Sequence, residues 1–147
     1  MKLQTASAVI SLAKSLEDES AKFYQDLSQR YAGSKDVLAA FAAENKKNVV
    51  QIERAYYGVI SDAIEGCFAF DIEPDEYKVE TALAKGASYH DALGQAIKLE
   101  EEIVRFYTDA AEQSKSLMAD VPRNFTIVAR KRGDRKLKLE TLLSNGG

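Results

Sequence analysis

The sequence predicts an all-α fold of four helices with one long connection between the second and third. Only two prolines and eight glycines interrupt 147 residues rich in Ala, Leu, Glu and Lys, the residue types that lose least freedom on entering a helix. Four stretches repeat apolar residues at three- and four-residue steps, and between residues 67 and 87 that period lapses. The length suits one domain, residues 1–147, with a core of its own.

The first helix is expected from Thr5 to Gly33, with an inner series of Ile10, Ala13, Glu17, Ser20, Tyr24, Leu27 and Tyr31. Ser34 offers an N-cap for the second, whose inner face runs Leu38, Phe41, Asn45 or Glu44, Asn48, Ile52, Ala55 and Val59. Gly66 is a C-terminal stop. Residues 67–87, punctuated by Pro74 and Gly86, form a crossover. If extended at about 3.3 Å per residue, they can run the length of a helix and let helices two and three lie parallel.

Ser88 followed by Asp91 resembles a capping box and opens the third helix, which runs to about Ser116 with an inner series of Leu93, Ala96, Glu100, Ile103, Tyr107, Ala110 and Ser114. Asp120 and Pro122 start the fourth, with Phe125, Val128, Arg132, Arg135 or Lys136, Leu139 and Leu142 facing inward. The terminal Ser-Asn-Gly-Gly is expected to fray. These series predict burial of Ile10, Tyr24, Phe41, Ile52, Leu93, Tyr107, Phe125 and Leu139.

Helix three repeats helix one at an offset of 83 residues: Glu17 lies over Glu100, Tyr24 over Tyr107, and all seven inner positions coincide. Two copies of one helical hairpin explain this most economically. A Glu followed seven residues later by Tyr, on the first and third helices, resembles the rubrerythrin branch of the ferritin-like superfamily. That resemblance spans nearly the whole chain and implies a ferritin-like four-helix bundle. In that family each hairpin supplies one inward Glu and a Glu-x-x-His, and these six side chains hold two irons.

Glu17 and Glu100 match the first role. Helix two reads Glu44-Asn45-Lys46-Lys47, so Glu44 matches and Lys47 stands in place of His. Helix four, aligned on Leu137, Leu139 and Leu142, places Gly133 and Lys136 where Glu and His belong. The single histidine, His90, is about 15 Å along the helix from Glu100 and reads as a surface residue. These residues contain no CxxC pair, so the rubredoxin-like iron domain of full rubrerythrins is not expected.

Glu17, Glu44 and Glu100 are thus expected as vestigial ligand positions. Lys47, Arg132, Arg135 and Lys136 are expected to compensate their charge, since a protonated amine repels a divalent ion that an imidazole would bind. No cofactor is expected, and iron or another divalent metal held by the remaining carboxylates is the alternative. Tyr24 and Tyr107 read as packing residues with wet hydroxyls.

The expected function is a non-catalytic binding or structural protein acting as a homodimer, with its protein partner unspecified. A metal-dependent oxidoreductase of peroxidase or ferroxidase type is the rival. A third reading takes Arg130, Lys131, Arg132, Arg135, Lys136 and Lys138 as a nucleic-acid footprint. The net charge of −3 and the lack of interleaved aromatics weigh against that footprint. Cys67 cannot form an internal disulfide, and no charged-then-apolar leader or membrane-spanning run is present. The expected setting is the cytoplasm, without a membrane partner.

Overall fold

The computed structural model describes residues 2–59, 70–115 and 120–146. Four long helices account for most of them: α1 (Ala6–Arg30), α2 (Lys35–Val59), α3 (Tyr89–Gln113) and α4 (Asp120–Gly146). No described helix is long and apolar enough to cross a membrane.

Local chemistry sets most of the ends. The Thr5 hydroxyl accepts from the Ala8 amide at 3.3 Å and starts α1. The Ser88 hydroxyl does the same for the Asp91 amide at 3.0 Å and starts α3, as the sequence leads one to expect. Helix α1 stops at Arg30, short of Gly33, because Tyr31 leaves helical geometry (φ −125°, ψ 83°) to donate its hydroxyl to the Ala87 carbonyl. A single 3₁₀ turn, Ala32–Ser34, then leads into α2. Ser34 was expected to cap α2; its hydroxyl bonds the Tyr89 hydroxyl, tying the α1–α2 turn to the start of α3. Ser144 and Asn145, where fraying is expected, lie within α4, and Gly147 lies outside the described residues. Gly66, Cys67 and Ser116 lie outside the described residues.

Side-chain pairs give the helix directions. On α1 and α2, Ser20 meets Asn45 and Glu17 meets Asn48, so these helices are antiparallel. Tyr24 meets Glu100 and Tyr107 meets Glu17, which makes α1 and α3 antiparallel. On α2 and α4, Asn124 meets Gln51 and Arg135 meets Asn45, again antiparallel. It follows that α2 and α3 point the same way.

Residues 70–88 connect opposite ends of these helices. Phe70 donates its amide to the Gln4 carbonyl before α1, and Asp71 donates to the Gln113 side chain at the end of α3. Further on, the Ala84 and Ala87 carbonyls accept from Arg30 and Tyr31 at the far end of α1. Between these points a 3₁₀ turn, Pro74–Tyr77, packs the Tyr77 ring edge-on against Phe106, with centroids 5.6 Å apart.

The core follows the predicted stripes, and Ile10, Tyr24, Phe41, Ile52, Leu93, Tyr107, Phe125 and Leu139 are all buried. Aromatic rings meet edge-on through its middle, with Tyr24 5.4 Å from Phe23 and from Phe41, and Phe106 5.2 Å from Tyr107. At mid-height the apolar layers give way to charge.

Candidate functional site

The inner positions of all four helices at that level are polar. Helix α1 contributes Glu17, Ser20 and Tyr24, α2 contributes Asn45 and Asn48, α3 contributes Glu100 and Tyr107, and α4 contributes Arg132 and Arg135. Glu17, Glu100 and Arg132 are each 0% exposed and Arg135 is 1% exposed. Burying four ionised groups is costly unless each meets opposite charge and directed hydrogen bonds.

Arg132 meets both carboxylates. Its Nη1 donates to Glu100 Oε1 at 3.0 Å and Oε2 at 2.8 Å, and to Ser20 Oγ at 2.9 Å. On the other side Nε donates to Glu17 Oε2 at 3.3 Å. Nη2 lies 2.8 Å from Glu17 Oε1 but off the angle of a hydrogen bond, so that contact is an ion pair. Burial works against the cation, and the Glu100 and Glu17 charges outweigh it, raising the guanidinium pKa above its ordinary value.

The tyrosines complete the carboxylate shells. Tyr24 donates to Glu100 Oε2 at 2.5 Å and Tyr107 donates to Glu17 Oε2 at 2.7 Å. Each carboxylate is therefore held by the tyrosine of the other hairpin. Both phenols were expected to be wet and are fully buried. Burial, then the charge of the facing glutamate, pushes each phenol's pKa well above its usual value. The seven-residue spacing from Glu to Tyr was the signal in the sequence that could have exposed this role. It placed both residues on one stripe, yet it did not say which glutamate each tyrosine would meet.

Arg135 faces α2. Its Nη2 contacts Glu44 Oε1 at 2.7 Å and the Phe41 carbonyl at 3.2 Å, and its Nη1 donates to Asn45 Oδ1 at 3.0 Å. Glu100 Oε2 lies 3.5 Å from the same Nη1. The guanidinium also sits over two rings, 4.9 Å from the Phe41 centroid and 5.1 Å from Tyr24. Asn48 Nδ2 donates to Glu17 Oε1 at 3.1 Å. Asn48 Oδ1 and Arg135 Nε are buried and have no hydrogen-bond partner among the described residues.

Four of the seven residues singled out in the sequence thus form one network with Arg132 and Arg135 as its cations: Glu17 and Glu100 at the centre, then Arg132 and Arg135. Glu44 joins at the rim through Arg135, with its side chain 39% exposed. Lys47 and Lys136 do not belong to it, which corrects their expected place beside the carboxylates. Lys47 is exposed on α2 and Lys136 half-buried on the outer side of α4, where it lines a surface cleft with Gly133 and Glu140.

The cause is a helical register. The inner positions of the second and fourth helices coincide at an offset of 87: Leu38 with Phe125, Asn45 with Arg132, Asn48 with Arg135, and Ile52 with Leu139, all buried. Aligning Glu44 and Lys47 with Gly133 and Lys136 shifts this match by two residues, which turns side chains about 200° around a helix.

No family model matches this chain, and no curated protein or solved structure matches it. The site's chemistry is accordingly read from its own residues. Two guanidiniums, two amides, two phenols and a serine surround Glu17 and Glu100, and cations have no lone pair to offer a metal. Among the described residues no group of three His, Cys, Asp or Glu side chains could hold a metal ion. The donor set does not fit the di-iron centre that the family resemblance implies.

Proposed function

We propose that this protein is a rubrerythrin-like, ferritin-like bundle in which internal arginines take the place of the metal centre, and that it acts as a binding or structural protein, as a homodimer, without redox turnover of its own. The observation that carries this reading is Arg132, whose guanidinium lies between Glu17 and Glu100 and contacts both carboxylates within 3.3 Å. In the family pattern a metal cation fills that role. Parallel α2 and α3, joined by a segment that travels between opposite ends of the bundle, support the ferritin-like assignment.

The network is suited to holding helices in register. One guanidinium links α4 to α1 and α3, the second links α4 to α2, and the tyrosines lace α1 to α3. Charged groups satisfied in only one arrangement favour that arrangement over alternatives of similar packing. The basic run on α4 gives little support to a nucleic-acid role, because Arg132 and Arg135 are turned into the core.

Elemental analysis of protein produced with added iron, zinc and manganese tests the proposal. Well under one equivalent of any metal per chain is expected. Two tightly held irons per chain would overturn it and favour the oxidoreductase.

A further inference from the structure

A cleft of about 640 Å³ lies on the outer side of the α2–α4 face, away from the buried network, lined by Lys46, Lys47, Val50, Gln51, Arg54 and Ala55 of α2 with Asn124 of α4. Its size falls within the range of small-molecule sites, about 300–1,000 Å³. Among the described residues that line it, three are cations and none is an acid. The nearest acids on α2 are engaged elsewhere, Glu44 with Arg135 and Glu53 with Lys14 of α1.

The lining has two chemical parts. Gln51 Nε2 donates to Asn124 Oδ1 at 2.9 Å, and Gln51 Oε1 accepts from Lys131 Nζ at 2.9 Å. This chain fixes the amide wall and brings a fourth cation to the rim. Beside it Val50 is 45% exposed, one of three large apolar side chains left open among the described residues. An exposed valine beside these cations presents apolar surface and positive charge together.

We infer that this cleft binds a small organic anion, with its carboxylate, sulfonate or phosphate group held by Lys47 and Arg54 and its apolar body against Val50 and Ala55. Lys47 and Arg54 stand seven residues, two turns or about 10 Å, apart on one side of α2, a span that their long flexible side chains can close around a single anion. The short run of cations beside an apolar floor favours such a ligand over a nucleic acid, which needs a longer track of cations. This inference is independent of the metal-free reading of the core.

The test uses anilinonaphthalene sulfonate, an anion with an aromatic body, titrated by fluorescence against the full chain. Saturable binding is expected. The exposed pair Lys47→Glu with Arg54→Glu should weaken it about tenfold or more. Lys98→Glu, exposed on α3 and lining a different cleft, should change it less than about twofold. Inorganic phosphate, which has the charge without the body, should displace the probe only at about hundredfold higher concentration. Circular dichroism of each variant reports that the helices are intact. The inference fails if the wild type shows no saturable binding, if the double variant binds as the wild type does, or if Lys98→Glu loses as much. It fails also if a short oligothymidylate binds more tightly than the probe and loses affinity in the same double variant, which would assign the face to nucleic acid.

Discussion

Tyr24 of α1 donates its hydroxyl to Glu100 of α3 at 2.5 Å, and the duplicated pair, Tyr107 and Glu17, repeats the contact in the opposite sense at 2.7 Å. Each hairpin thereby stabilises the charge of the other. Removing either hydroxyl leaves a buried carboxylate one donor short. Tyr24→Phe and Tyr107→Phe should each lower unfolding free energy by about 1.5–3 kcal/mol, the range for hydrogen bonds to charged groups. Denaturant unfolding checks this, and a loss below about half a kcal/mol would show that the hydroxyls are not stabilising.

Neutralising Glu100 should be costlier. Arg132 would keep Glu17, yet Nη1 would face a neutral amide at a fully buried position. Breaking such a pair from one side costs about 3–5 kcal/mol, and Glu100→Gln is expected there. Glu112→Gln, exposed on the same helix, should change stability by at most about half a kcal/mol. Equal effects of the two, or a gain from Glu100→Gln, would mean that Arg132 does not compensate the carboxylate.

High pH should unfold the protein through its phenols. Tyr24 and Tyr107 have pKa values raised above the usual value, so above about pH 10 the unfolded chain loses protons that the native chain retains. Stability is complete below that pH and falls as pH rises toward the native values, by about 1.4 kcal/mol per pH unit for each phenol. Phenolate absorbance and circular dichroism followed together should show these two tyrosines ionising with loss of helix. Ionisation near their ordinary pKa in an intact fold would contradict the buried geometry.

Gly133 sits inside α4, and a Cβ added there meets nothing within 4 Å. Gly133→Ala should stabilise the protein by about 0.5–1 kcal/mol, through lower backbone entropy of the unfolded chain and better helix propensity. A shift of the denaturation midpoint to higher denaturant at unchanged slope is the expected readout.

On the proposed rubrerythrin likeness, the inner register also specifies where a metal site could be built. Asn45→Glu, Asn48→His, Arg132→Glu and Arg135→His together would place the family's donor types on the four inner positions beside Glu17 and Glu100. Thermal unfolding of this variant should become dependent on added manganese or zinc. The outward set of Lys47→His, Gly133→Glu and Lys136→His should show no such dependence.

The sequence made the helices and their apolar stripes legible because one face of each is almost wholly buried, and period alone finds such a face. It also identified Glu17, Glu100, Arg132 and Arg135, since charged residues inside an apolar stripe stand out. Which second-helix residues point inward was harder to read. Glu44, Asn45, Lys47 and Asn48 are all polar, so hydrophobic pattern could not choose between adjacent positions. Pairing across the bundle, such as Tyr24 with Glu100, depends on the relative heights of two helices, and the sequence carries that height only indirectly.

The two internal cations are side chains of the same polypeptide. A bound metal stabilises its host according to free-ion concentration, and a chelator or a change of oxidation state can withdraw it. Arg132 arrives at fixed stoichiometry as the chain is made, cannot exchange, and carries no electron to give or take. On the proposed metal-free reading, the cohesion that this network gives the bundle does not depend on metal supply, and its assembly requires no loading step.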